Sequence, residues 1–217
     1  MPQITAENQP AFLHALLRGD RHQCSQIAAA YSGSHESIKV FYEEVVKPSM
    51  YAIGVLWEEG RISVATEHLA SAIVEGVMNE LYLLLARGRT SGRTLVAACV
   101  EEEKHQIGLK MVADVFEMHG WKVYFLGAEL PCQELIRFMR ALQPDALALS
   151  LSIYFHLPTL EQMLVRIRQA FPGMYILVGG QAFCYGGREV LAQYPGVGFV
   201  GDLDELNEWL NTRGSDG

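Results

Sequence analysis

From Thr94 onward the chain changes its hydrophobic period, and that change constrains the fold more than any other feature. Five apolar segments, TLVAACV, KVYFLG, DALALSLS, MYILVGG and GVGFVGD, alternate with five helical stretches across short connections. The helical stretches run up to His119-Gly120, then PCQELIRFMRAL, LPTLEQMLVRIRQAF, REVLAQY and LDELNEWL. Strands that alternate with helices in this way build a parallel sheet with helices on both faces. Ligands of such sheets sit at the carboxyl ends of the strands, near the point where strand order reverses.

The preceding residues read differently. From about Asn8 to Ala86 the periodicity is helical with almost no strand signal, which predicts an antiparallel bundle. The expected helices are Pro10–Leu17, Arg21–Tyr31, Ser34–Trp57 (interrupted or bent near Pro48) and Val64–Leu85. Gly19-Asp20 and Ser32-Gly33-Ser34 supply the joints. Residues 87–93, Arg-Gly-Arg-Thr-Ser-Gly-Arg, are polar and glycine-containing; taken alone they are a surface loop, and the change of period on either side makes them a domain linker. The expected organisation is an all-α bundle over residues 1–90 and an α/β domain over 91–217.

Composition narrows the function. A formal charge of −8, with no cluster of Lys and Arg, argues against a nucleic-acid surface, so no direct nucleic-acid contact is expected. The start carries no secretory signal pattern, and no apolar run approaches a membrane span, so no membrane contact is expected. Cys24, Cys99, Cys132 and Cys184 form no CxxC pair, which indicates neither zinc nor a disulfide framework. The expected setting is cytoplasmic, with reduced thiols.

The first strand hands over to its helix through EEEKHQIG, residues 101–108. A phosphate would be repelled by Glu101, Glu102 and Glu103, and the loop's one glycine, Gly108, falls inside the following helix. A carboxylate beside an imidazole is instead the arrangement that orients a metal-ligating histidine: it accepts one ring N–H and raises the basicity of the other nitrogen. Glu103 and His105 are two apart, so in extended backbone their side chains point the same way. Gly108 would let something bulky approach the helix start. On these residues alone, a surface histidine in an acidic loop is slightly the more common case.

Their company changes the balance. Glu103-x-His105-x-x-Gly108, with Gln106 and Ile107 between, resembles the DxHxxG motif of cobalamin-binding domains, with Glu in place of the usual Asp. Ser150-Leu151-Ser152 stands where that family has its SxL-type segment, and Gly179-Gly180 where it has a glycine pair. The three elements fall at the ends of strands one, three and four, which are neighbours in a flavodoxin-like (Rossmann-like) order of 2-1-3-4-5. The resemblance implies base-off, His-on cobalamin binding: His105 as the lower axial ligand of cobalt, serine bonding the benzimidazole, and the glycines leaving room for the nucleotide tail. A minority of domains with this architecture have been adapted to haem, which remains an alternative.

In the bundle, VLWEEGRISVATEHLAS, residues 55–71, reads by itself as an ordinary helix hairpin: a Trp, a breaking Gly60 and an N-capping Ser63. Val64, Glu67 and His68 then share one helical face. The spacing Trp57-x6-Val64-x2-Glu67-His68 resembles the cap of CarH-type cobalamin photoreceptors. The resemblance implies that these four residues pack around the 5′-deoxyadenosyl group of adenosylcobalamin. Where some members of that family carry a His directly after the Trp, this chain has Glu58, which leaves His68 as the nearest substitute. Methyl-transferring corrinoid proteins have a similar bundle without this arrangement, and a corrinoid carrier of a methyltransferase system is the enzymatic alternative.

Photoreceptors of this type usually carry a MerR-type DNA-binding domain, for which residues 1–33 are too few and carry no basic excess. The resemblance therefore implies a non-enzymatic, stand-alone sensor that self-associates or binds a protein partner such as a transcription regulator. Some stand-alone relatives also bind a bilin as a second chromophore; no residue in this sequence decides that.

Overall fold

A computed structural model describes residues 7–85 and 90–213. Of the expected linker, Arg87, Gly88 and Arg89 lie outside the described residues. The chain divides into two compact units, Met1–Arg87 and Gly88–Gly217.

The first unit is all helical: α1 (Asn8–Leu17), α2 (Arg21–Ala29), α3 (His35–Val40), α4 (Lys47–Glu58) and α5 (Val64–Leu85). Side-chain oxygens of Asp20, Ser34 and Ser63 accept the backbone N–H groups of Gln23, Ser37 and Thr66 at 3.0–3.1 Å, so each expected joint is an N-cap. Between α3 and α4 the helix continues as a wide π turn, Phe41–Val46. Pro48, one residue beyond Lys47, offers no N–H and its ring crowds the carbonyl one turn back; widening that turn relieves both problems without ending the helix. The bend expected near Pro48 is therefore a π segment just ahead of it. Phe12, Leu16, Phe41, Ile53, Val74, Val77 and Met78 form the buried interior, with the Phe12 and Phe41 rings edge to face at 5.4 Å.

The second unit is a flavodoxin-like α/β domain. Its strands are β1 (Thr94–Cys99), β2 (Lys122–Gly127), β3 (Ala146–Ser150), β4 (Tyr175–Gly179) and β5 (Val197–Val200), all parallel, in the order β2-β1-β3-β4-β5. The connecting helices are α6 (Ile107–Met118), α7 (Cys132–Leu142), α8 (Leu157–Ala170), α9 (Arg188–Leu191) and α10 (Leu203–Arg213). Alternate residues face opposite sides. Val96, Ala98, Leu147, Leu149, Ile176 and Val178 join one core cluster with Leu135 and Met139 of α7 and Leu160, Leu164 and Ile167 of α8. On α6, Phe116 meets the rings of Trp121 and Trp209 at 5.2 and 6.0 Å. Strand β3 is buried throughout, which explains its unbroken apolar run.

The chain runs from β1 outward to β2, then crosses back to β3 on the other side of β1. At that reversal the loops leaving β1 and β3 start side by side at the carboxyl edge, where ligands of such sheets bind. Cys99, Ser150 and Gly179 are in register across β1, β3 and β4. The motif-bearing loops thus start from one level of one edge.

Candidate cobalamin site

The loop after β1 opens with a turn in which Glu103 N–H donates to Val100 O at 2.9 Å. Glu102 takes a positive φ of 71°, a conformation that costs a non-glycine residue roughly 1–2 kcal/mol. The turn swings Glu103 inward, where its side chain is fully buried.

A buried carboxylate must be satisfied, and Glu103 is satisfied by five N–H donors. Oε1 accepts the backbone N–H groups of Lys104 and His105 at 2.9 and 3.1 Å, and the His105 Nδ1 proton at 2.5 Å. Oε2 accepts the backbone N–H groups of Ser152 and Ile153, each at 2.9 Å. Burial by itself raises this carboxyl's pKa; the His105 bond and the N–H groups of Ile153, Ser152 and His105 outweigh it and hold the pKa at about 2. Glu103 is therefore ionised and can only accept. That fixes the proton of His105 on Nδ1 and leaves Nε2 as the basic nitrogen of a ring whose side chain is 58% exposed.

The Glu-for-Asp difference acquires a structural meaning here. The longer side chain reaches the imidazole with one oxygen and crosses to the loop after β3 with the other. Ser152, singled out in the sequence, takes part through its backbone, while Ser150 is buried at the end of β3. Glu103 O also receives Glu129 N–H at 3.1 Å, and the Gln106 side chain accepts Ala128 N–H at 3.2 Å. The loops after β1, β2 and β3 are thereby tied together. Beneath them the buried Cys99 thiol donates to His105 O at 3.5 Å; burial first, then the Glu103 charge, pushes that thiol up to about 12, so it stays protonated.

The glycines divide into two kinds. Gly108 follows Ile107 in the first turn of α6, and a Cβ there would meet open space, so a ligand can approach that turn. Gly179 and Gly180 were expected to leave room for a ligand, but the packing of the sheet already requires them. A Cβ on Gly179 would lie 2.8 Å from Val200 O; on Gly180, whose φ is 123°, it would lie 2.1 Å from Leu151 O.

Sequence reasoning passed over His156. It ends a single 3-10 turn, Tyr154–His156, after β3. Its Nδ1 lies 3.7 Å from Glu103 Oε2, buried and without a hydrogen-bond partner. A histidine in FHLP offers no local sign of this position, because its neighbour Glu103 is distant in sequence.

In the helical unit, α4 closes after Trp57 with Gly60 N–H donating to Trp57 O and Arg61 N–H to Leu56 O, each at 2.9 Å. Gly60 has a φ of +68°, the left-handed conformation such a helix end demands. Trp57 and Val64 are 49% and 53% exposed, large apolar side chains left uncovered within their own unit. On α5, Glu67 accepts the His68 Nδ1 proton through Oε2 and the Ser71 hydroxyl through Oε1 at 2.9 Å. The structure thus brings Glu67 and His68 together as a carboxylate–imidazole pair.

Among the described residues, no three His, Cys, Asp or Glu side chains are gathered as a metal cage. One carboxylate-held imidazole suits a metal that brings its other ligands with it, as the cobalt of a corrin does. A basic ring nitrogen on an exposed side chain at the switch-point edge, with open space at Gly108 in the first turn of α6, fits such a group.

That arrangement suits a corrinoid-binding class of protein, and the chain belongs to the B12-binding family. A B12 binding domain model matches residues 93–206, more than half of the chain, and a second B12 binding domain model matches residues 10–82. The chain is similar to the HTH-type transcriptional repressor CarH of Myxococcus xanthus, 37% identical over 65% of this chain and 47% of that protein. It is also similar to the HTH-type transcriptional repressor CarA of the same organism, 30% identical over 52% of this chain and 37% of that one. The chain spans less than half the length of either repressor. The fold matches the Methanosarcina barkeri monomethylamine corrinoid protein with a TM-score of 0.75 at 12% identity, over 95% of this chain and 98% of that one. Among the described residues no helix is long and apolar enough to cross a membrane.

Proposed function

We propose that this protein is a light sensor that binds adenosylcobalamin base-off, with His105 as the lower ligand of cobalt, and that it signals rather than catalyses. The observation that carries the reading is the Glu103–His105 pair, which fixes the ring proton on Nδ1 and leaves Nε2 as the basic nitrogen of an exposed side chain. In this reading Glu103 holds the ligating ring, Gln106 and Ile107 start α6 beside it, and Gly108 keeps the approach open. Ser150, Ser152, Gly179 and Gly180 line the neighbouring strand ends.

Trp57, Val64, Glu67 and His68 would contact the adenosyl group: the indole as a flat apolar wall, the carboxylate as an acceptor for its hydroxyls. Bound adenosylcobalamin supplies a weak, light-sensitive cobalt–carbon bond. The protein's part is to hold the intact cofactor in the dark and to change its association, or its affinity for a partner such as a transcription regulator, once the adenosyl group is lost. The likeness to two transcriptional repressors supports a regulatory role. The charge of −8 supports a route through protein contacts rather than direct DNA binding; the setting in this reading is cytoplasmic.

The test is the absorption spectrum of the protein mixed separately with adenosylcobalamin, methylcobalamin and haem, before and after seconds of green light. Selective retention of adenosylcobalamin in the dark, a histidine-ligated cobalt spectrum and a stable change on illumination support the proposal. Equal retention of methylcobalamin without a light response overturns it in favour of a corrinoid carrier, and a haem-only spectrum in favour of a haem sensor.

A further inference from the structure

We infer that His156 is a second imidazole on the Glu103 carboxylate, a positioning residue that sets how strongly Glu103 polarises His105; this rests on His105 being the cobalt ligand. The two rings address different oxygens. His105 donates to Oε1 at 2.5 Å, and His156 Nδ1 stands 3.7 Å from Oε2. His156 Nδ1 is buried with no hydrogen-bond partner, so Oε2 is the acceptor within reach of a small closing movement.

The means of delivery is local. Ser152 and Ile153 donate their N–H groups to Oε2, and His156 N–H donates to Ile153 O at 3.0 Å. The ring is thus carried by the same short turn whose first residues grip the carboxylate. Pro158, at the start of α8, ends that turn at a fixed place.

The sign of the effect follows from charge. Five N–H donors already fix the orientation of Glu103, so a sixth adds little to its position. It does draw negative charge away from Oε1. The His105 Nδ1–H bond then weakens, and Nε2 becomes a poorer donor to the metal. Removing the donor at His156 should therefore strengthen the axial ligand, whereas structural damage to the loop would weaken it. The two explanations predict opposite signs.

The experiment compares unmutated protein with His156→Phe, which keeps a ring without a donor, and His156→Asn, whose amide nitrogen replaces Nδ1. In cofactor-free protein, proton NMR of the His105 Nδ1–H should show a downfield shift in H156F and little change in H156N. In protein loaded with cobalamin and reduced to cobalt(II), the axial-nitrogen splitting in the EPR spectrum should increase in H156F and stay near the unmutated value in H156N. Unchanged or reduced splitting in H156F, with an unmoved NMR signal, overturns the inference while leaving the His105 assignment in place. No axial-nitrogen splitting in the unmutated protein overturns that assignment and this inference together.

Discussion

His105 Nδ1 and Glu103 Oε1 are 2.5 Å apart, and the same carboxylate reaches the loop after β3 through its other oxygen. One buried side chain therefore orients the candidate metal ligand and clamps two strand-end loops. Changes at Glu103 should disturb binding and fold together, whereas changes at His105 should disturb binding far more than fold.

His105→Ala is expected to leave the fold intact at a cost of about 1–3 kcal/mol, because one hydrogen bond to the buried Glu103 carboxylate is lost. The removed ring is 58% exposed, and the Glu103 carboxylate keeps its four backbone N–H partners. Cobalamin affinity should fall by tenfold or more, on the order of the loss seen when a metal site is weakened, and the histidine-ligated cobalt spectrum should vanish. Titration calorimetry and absorption spectra check this; an unchanged spectrum removes His105 from its role.

Glu103→Gln and Glu103→Asp separate the two tasks of that residue. The amide variant turns an NH2 group toward N–H donors in a buried site, which should cost about 1–3 kcal/mol of stability and about 10–100-fold in cobalamin affinity. Aspartate keeps the charge and is short by one methylene. It should hold His105 and lose the bonds to Ser152 and Ile153, lowering stability with less loss of affinity. Chemical denaturation of the cofactor-free proteins, beside cobalamin titrations, reads the two effects separately.

Acid should act through the same group. The folded Glu103 pKa is about 2, depressed from an ordinary 4.5. Its stabilising contribution is therefore fully present above about 4.5 and is lost as pH falls from there towards 2. Between those values, melting temperature should fall more steeply in unmutated protein than in Glu103→Gln, which has no carboxyl to protonate. Parallel curves would mean that other carboxylates govern acid unfolding.

How much of this was legible in the sequence depended on how far each interaction reaches along the chain. Local signals are explicit in the sequence. Ser63 and Gly60 mark the hairpin between α4 and α5, and the expected Val64–Leu85 is the helix observed. The five apolar segments are the five strands, and Glu103 and His105, two apart in sequence, are the expected pair. What stayed hidden was non-local or against propensity. The π segment depends on how the helix relieves Pro48; the turn at Glu102 puts a non-glycine residue at positive φ. His156 meets Glu103 only because β1 and β3 are adjacent at the switch point. Even Gly179 and Gly180, found by motif, owe their absence of a side chain to Val200 and Leu151 rather than to a ligand alone.

Trp57→Ala should barely change the stability of the cofactor-free protein, by about 1 kcal/mol or less, because half of the indole surface is already exposed. Its effect should appear with ligand: less discrimination between adenosylcobalamin and methylcobalamin, and faster decay of the dark spectrum. The companion change Glu67→Gln should weaken adenosylcobalamin retention while sparing methylcobalamin, and it should also disturb the pairing with His68 and Ser71. Dialysis of loaded protein in the dark, followed by absorption, tests both. Identical retention of the two cofactors by unmutated protein would assign these residues to the bundle's own structure.

Light should alter association. In the proposed dark state the adenosyl group occupies the space beside Trp57, Val64, Glu67 and His68. Its loss leaves the exposed indole and Val64 without an apolar partner, a change that biases the protein toward a new arrangement or contact. The favoured state must gain through differential contacts: a shift from mostly one state to mostly the other takes a few kcal/mol, within reach of re-covering side chains of this size. Size-exclusion chromatography and small-angle scattering of the adenosylcobalamin complex, in darkness and after green light, should differ. The difference should shrink in Trp57→Ala, which has less surface to re-cover. Identical elution and scattering in both conditions would confine the light response to the cofactor's immediate surroundings and remove association as the output.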